Sequence, residues 1–135
     1  MRAGGFLLAL SACAASAPAG LYFPTYSPLD QQPGGVQEGT LRRDGPCLYI
    51  ESPDSNRLAL WSSDLRAVEE GGEIAIADRG GGVLAREAVP AIFGGADYGP
   101  EHQDFLEELL GDEIDPDCRQ DRFFLVVSIP SELQP

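Results

Sequence analysis

Short runs of alternating hydrophobic and polar residues dominate the chain from residue 37 to residue 130. In the run at residues 47–51, Leu48 and Ile50 share one face and the intervening residues lie on the other. A period of two predicts half-buried strands, and the turn residues between the runs predict a succession of hairpins, one of them at Gly80-Gly81-Gly82. Further strands are predicted at residues 40–42, 58–61, 73–77, 83–86, 91–93 and 123–129.

One segment has the spacing of a helix instead. Pro100 suits a first helical position and Gly111 suits a C-terminal stop. The apolar residues between them recur at helical spacing, which indicates an amphipathic helix that covers one face or end of the sheet. These residues are Phe105, Leu106, Leu109 and Leu110. The pattern as a whole predicts a mainly β protein: a small closed or partly closed antiparallel barrel with one acidic amphipathic helix.

The N-terminus has a different composition. Residues 6–10 form an apolar run, and Arg2 is the only charged residue before Asp30. The run is too short to span a bilayer, which needs about 20 residues. A positive start, a short apolar core and the small residues that follow are typical of a signal peptide.

The sequence Leu10-Ser11-Ala12-Cys13 resembles the lipobox of bacterial lipoproteins. The resemblance implies a signal peptide at residues 1–12, lipidation of Cys13 and an extracytoplasmic protein attached to the membrane through its N-terminal lipid. Ala14 stands where an aspartate retains lipoproteins at the inner membrane, which implies the outer membrane, facing the periplasm, in a diderm bacterium. Two alternatives stay open: a soluble secreted protein cut after Ala17, and a cytosolic protein with an alanine-rich start.

Residues 13–36 are rich in proline, glycine and glutamine. This composition favours extended conformers, so we expect a flexible tether between the lipid and a barrel domain at residues 37–130, with a tail at 131–135. Four large apolar residues interrupt the tether, and we expect them to pack on the domain rather than to meet lipid headgroups or a partner. They are Leu21, Tyr22, Phe23 and Tyr26.

The remaining two cysteines form an even pair. With Cys13 assigned to lipid, Cys47 and Cys118 are expected to form a disulfide in an oxidising compartment. A bridge across a loop of about 70 residues is worth up to about 4 kcal/mol in the chain-entropy model. The alternative is a pair of buried free thiols.

Charge narrows the choice of partners. Twenty-two acidic residues against nine basic ones, all of them arginine, give a net charge of −13 over 135 residues. This balance argues against nucleic acid and against attachment to an anionic membrane surface. The acids concentrate at residues 97–121. They predict a solvated acidic face or, as an alternative, an irregular calcium site at Asp112, Asp115 and Asp117.

No motif predicts catalysis or a cofactor. The chain has no Gly-x-Ser-x-Gly, no Cys-x-x-Cys and no phosphate-binding loop, and its one histidine, His102, is expected to pack on the predicted helix. A carboxylate pair for glycan processing remains an alternative, because 22 acids always include some pair at a suitable distance.

Three segments, Gly39–Leu41, Gly45–Ile50 and Leu58–Trp61, together resemble a small bacterial extracytoplasmic β-barrel domain with an OB-like outline. The resemblance covers residues 37–129, and that group has no defined function. With no catalytic motif, we expect a binding or structural module of the envelope whose partner is an envelope protein or a glycan. The residues considered first for its binding surface are Tyr49, Arg57, Trp61 and Tyr98.

Overall fold

The computed structural model describes residues 17–130, and within them the chain forms nine strands, one turn of 3₁₀ helix and one α-helix. The strands are β1 (Thr25–Tyr26), β2 (Gly35–Asp44), β3 (Cys47–Glu51), β4 (Asn56–Ser62), β5 (Arg66–Glu70), β6 (Glu73–Ala77), β7 (Val83–Arg86), β8 (Pro90–Tyr98) and β9 (Phe123–Ser128). The 3₁₀ turn (Pro100–His102) leads directly into α1 (Gln103–Leu110). The predicted signal peptide at 1–12, Cys13 and the tail at 131–135 lie outside the described residues.

Five strands close into a barrel in the order β2-β3-β4-β9-β8, with β8 returning to β2. The mainly β barrel predicted from the hydrophobic pattern is confirmed, with the OB-like outline that the resemblance implies. One of its pairings differs from an all-antiparallel barrel, because β4 and β9 run parallel with Leu58 opposite Phe123. The 60 residues between these two strands, which contain β5 to β8 and α1, make a parallel pairing possible, since parallel neighbours need a long crossover.

The barrel interior is filled by alternate residues of the five strands, as a period of two requires. This interior cluster includes Leu41, Leu48, Ile50, Ala59, Trp61, Phe93, Phe124 and Val126. Trp61 meets Phe93 edge-on, with ring centroids 6.4 Å apart. The strands β5, β6 and β7 form a separate antiparallel sheet. Its inward residues Ile74 and Ile76 join the same cluster, so this small sheet packs against the barrel interior.

A second cluster lies on the outer face of β3, β4 and β9. It contains the opposite residues of those strands together with residues of α1 and of the loop after it. Its fully buried members are Leu58, Leu60, Leu106, Cys118, Phe123 and Leu125. β9 is therefore buried on both faces, as its continuous apolar sequence predicts. α1 ends at Gly111, whose φ of 75° is the left-handed conformation expected of a helix C-terminus.

The strands β8 and β9 approach each other too closely for a side chain at Gly95. A Cβ atom there would lie 1.7 Å from the carbonyl oxygen of Leu125. The pairing register shifts between Gly94 and Gly95, which marks a bulge at this point. Glycine at residue 95 thus allows the barrel to bend and close.

Residues 21–29, which the sequence analysis assigns to the tether, pack against the barrel. Phe23 stacks on Trp61 with ring centroids 5.0 Å apart, and β1 pairs in parallel with the end of β4. The Tyr26 hydroxyl donates a hydrogen bond of 2.8 Å to the carbonyl oxygen of Val126. Burial raises the pKa of Tyr26 strongly, so this phenol stays protonated. The aromatic residues of the segment thus contact the domain, Phe23 on the interior cluster and both Tyr22 and Tyr26 on the outer cluster.

Candidate binding surface

The four residues first considered for a binding surface do not form one. Trp61 is 0% exposed inside the barrel, whereas Tyr49 is 7% exposed in the outer cluster, on the opposite face of the sheet. Arg57 is 5% exposed and already engaged by other side chains. Only Tyr98 reaches the surface, and it is half-buried. The expectation is corrected because the barrel uses its large aromatic residues for packing.

Arg57 belongs to a charged cluster at the end of the barrel where β4 and β9 begin and β8 ends. Its Nε donates to Asp97 Oδ1 at 3.1 Å, and its Nη1 donates to the Ser52 hydroxyl at 2.6 Å. Arg122 Nη2 donates to the other oxygen of Asp97 at 2.8 Å. Burial alone would raise the pKa of Asp97, but the bonds from Arg122 and Arg57 outweigh it and lower that pKa. The cluster is internally satisfied and closes this end of the barrel.

The aspartates of the alternative calcium site make local hydrogen bonds instead. Asp112 Oδ1 accepts from the Glu113 N–H at 2.8 Å, and Asp115 Oδ1 accepts from the Asp117 N–H at 2.9 Å. Within residues 17–130, no group of three or more His, Cys, Asp or Glu side chains is arranged to hold a metal ion. The geometry therefore gives this alternative no support.

The predicted disulfide is present between Cys47 and Cys118, with 5.3 Å between their Cα atoms. It joins the first residue of β3 to the loop that follows α1, on the outer face of the barrel. Tyr22 secures the same loop, since its hydroxyl accepts a hydrogen bond of 3.1 Å from the Asp115 N–H. Burial raises the pKa of Tyr22 as well.

A shallow apolar groove of about 320 Å³ runs between β7 and the first half of β8. Leu84, Val89, Ile92 and Pro130 contribute to its walls. Arg86 is the charged side chain at its edge, and that guanidinium is already paired with Glu70. The groove carries no polar group arranged to orient a ligand.

Three rings lie side by side where β8 meets the helix. The ring centroids of Tyr98 and His102 are 5.1 Å apart, and those of Tyr98 and Phe105 are 5.8 Å apart. Phe105 is 45% exposed, and the His102 side chain is similarly exposed. We call these three residues the aromatic patch. His102 was expected to pack on the apolar side of the helix; it packs against Tyr98 and stays half-exposed.

Exposed carboxylates lie along one side of the aromatic patch. Glu101, Asp104 and Glu108 are exposed and lie four residues before, one before and three after Phe105. Residues three and four apart are neighbours on a helical surface. We call these three residues the acidic rim. Among the residues described, Asp104 and Glu108 have no ion-pair partner, and Glu101 has only His102 Nδ1 at 3.5 Å.

Sequence reasoning assigned Phe105 to the buried stripe of the helix. In the structure, Leu106 is fully buried, Leu109 and Leu110 are partly buried, and Phe105 lies at the edge of the stripe. The signal for its exposure was present in the sequence, because acids occupy the positions around it on the helical surface.

The outer face of β3 and β4 is covered by other parts of the chain, which limits where a ligand could bind. OB-folds bind oligonucleotides and oligosaccharides largely through the face of their second and third strands. Here those strands are β3 and β4, and their outer residues Tyr49, Leu58 and Leu60 are buried beneath other parts of the chain. In this chain the corresponding face is therefore covered.

No family model, curated protein or solved structure matches the chain. In the part of the chain that the structure describes, no helix is long and apolar enough to cross a membrane.

Proposed function

We propose that the chain is a binding module of the bacterial envelope, exported and anchored to a membrane through a lipid on Cys13. The module works through its surface rather than through catalysis. Its body is the disulfide-linked barrel, and its partner is another component of the envelope.

The observation that carries this proposal is the Cys47–Cys118 disulfide, which spans 71 residues. Stable structural disulfides are typical of exported proteins and rare in the cytosol. The bond thus supports export independently of the lipobox, which lies in a different part of the chain. It also leaves Cys13 as the cysteine available for lipid.

The packing of the barrel supports a surface-mediated role. Side chains from all five strands fill the interior. Small molecules that enter proteins usually occupy concave pockets of about 300 Å³ or more, with a few convergent polar groups. The groove between β7 and β8 is apolar, and two larger concavities of about 490 and 560 Å³ are wide open to solvent, so exposed groups around α1 are the better candidates for recognition.

The lipid anchor is tested by metabolic labelling with palmitate in a diderm bacterial host. We expect the wild-type chain to take up label and Cys13→Ser to take up none. Cys118→Ser is the matched control, because it removes a cysteine of the barrel and should keep the label.

The same experiment separates anchoring from export. Mass spectrometry of the mature N-terminus should place cleavage before Cys13. Label that persists in Cys13→Ser would overturn the lipid site. An unlabelled chain cut after Ala17 would indicate a secreted module, and an uncleaved cytoplasmic chain would overturn the proposal entirely.

A further inference from the structure

We propose that the aromatic patch and its acidic rim bind an arginine-bearing segment of a partner protein. This inference names the partner chemistry of the proposed binding module and rests on that function. The patch consists of Tyr98, His102 and Phe105, and the rim of Glu101, Asp104 and Glu108.

The rings supply the first part of the argument. Phe105 is the only large hydrophobic side chain of α1 that is exposed, at 45%, and the ring of Tyr98 lies against it. The faces of aromatic rings attract cations through their quadrupole. A guanidinium also stacks flat on such a ring, which an ammonium does not do.

The charges supply the second part. Glu108 is a neighbour of Phe105 on the helical surface, Asp104 is a neighbour of Glu108, and neither acid has a cationic partner among the residues described. Around them, residues 97–121 contain ten acids and a single arginine. An incoming guanidinium can therefore lie over Phe105 and donate hydrogen bonds to neighbouring carboxylates that no protein cation occupies.

Charge complementarity also decides between occupants. A second copy of this chain carries the same net charge of −13 and the same acidic rim, so two patches repel each other. An anionic polymer is repelled in the same way. A cationic protein segment is attracted both by the rim and by the overall field.

The probe for the test is a fluorescein-labelled hexa-arginine peptide, titrated by fluorescence anisotropy into the full chain carrying Cys13→Ser. We expect Phe105→Ala to weaken binding about fivefold, because it removes the ring and no charge. Val89→Ala is the matched control, since Val89 is 51% exposed and lies at the far end of β8. Circular dichroism should show both variants folded.

A second pair of variants distinguishes the contribution of the acidic rim from the general attraction between an acidic protein and a cationic peptide. The double change Asp104→Asn with Glu108→Gln should weaken binding about fivefold. Glu69→Gln with Glu73→Gln removes the same charge from exposed positions on the small sheet and should change affinity less than twofold. Hexa-lysine, of equal charge, should bind more weakly than hexa-arginine.

Equal weakening by the two double variants would overturn the proposal, as would equal affinities of Phe105→Ala and Val89→Ala. Equal affinities for hexa-arginine and hexa-lysine would overturn the stacking of arginine on the rings. Self-association of the chain at the patch would also overturn the proposal, because the partner would then be a second copy. None of these results involves the lipid, so failure here leaves the anchoring experiment unaffected, and the reverse also holds.

Discussion

The Asp97 carboxylate lies between two arginines and compensates their like charges. Arg57 and Arg122 both donate to its carboxylate, and Arg57 is buried. A buried guanidinium that loses its partner is costly, because its desolvation is no longer compensated. The Ser52 hydroxyl and Asp54 also contact Arg57 and keep part of this compensation.

We expect Asp97→Asn to lower the free energy of unfolding at neutral pH by about 2 kcal/mol, the usual range for hydrogen bonds to charged groups. Because the folded-state pKa of Asp97 is lowered, its contribution is complete above the unfolded-state pKa of about 4. It is then lost as the pH falls through the folded-state pKa. Urea denaturation, followed by the fluorescence of Trp61, should show the difference between wild type and variant shrinking below about pH 4.

Asp121→Asn is the control for this prediction. It removes the same charge from an exposed position with no ion-pair partner among residues 17–130. Its effect should stay within about 0.5 kcal/mol at every pH. A constant difference between wild type and Asp97→Asn down to about pH 2.5 would contradict the assigned role of the carboxylate.

At the scale of elements, the sequence predicted best the strands that are apolar on both faces. The sequences of β3, β4, β6 and β9 indicate strands without reference to the rest of the chain, because nearly all their residues are buried. The helix was predictable because its proline start and glycine stop are local signals. The parallel pairing of β4 with β9 was not, because it depends on contacts more than 60 residues apart.

The strands that sequence reasoning missed or shortened have little apolar content. In β5 only Ala67 is buried, and in the ten residues of β2 only Leu41 is. Their strand conformation comes from hydrogen bonding to neighbours, β6 for the first and β3 and β8 for the second. The aromatic patch was missed for a related reason, since its rings come from a strand end, a 3₁₀ turn and a helix edge.

The disulfide fastens one element to another, and its removal gives the second prediction. It fixes the loop after α1 against β3 across 71 residues of sequence. Replacing both cysteines, Cys47→Ala with Cys118→Ala, should lower the free energy of unfolding by about 3 kcal/mol, somewhat below the chain-entropy limit. Urea denaturation of the full chain carrying Cys13→Ser measures this loss.

Reduction provides the internal control for that measurement. A reductant should destabilise the chain that has both cysteines by a similar amount and leave the double alanine variant unchanged. Two titratable thiols in the unreduced denatured chain, with no effect of reductant on stability, would instead establish the free-thiol alternative.

At the scale of the whole molecule, the packing of residues 21–29 changes how far the barrel can lie from a membrane. A spacer from Cys13 to residue 36 would reach about 80 Å when fully extended. Since Leu21 already packs on the interior cluster, only eight residue steps connect it to Cys13, and they reach at most about 28 Å. In the proposed anchored form, the barrel therefore stays close to the lipid surface. The net charge of −13 would keep it off anionic headgroups.

Phe23 is the residue on which this arrangement depends, because it stacks on Trp61 inside the barrel. We expect Phe23→Ala to lower the free energy of unfolding by about 2 kcal/mol, less than for a fully buried phenylalanine because Phe23 is half-buried. Trp61 is the sole tryptophan, so its emission should shift to longer wavelength as water reaches the ring.

Ser27→Ala, an exposed change in the same segment, should alter neither property. If Phe23→Ala kept both the stability and the emission of the wild type, the stacking of Phe23 on Trp61 would not be what holds residues 21–29 against the barrel.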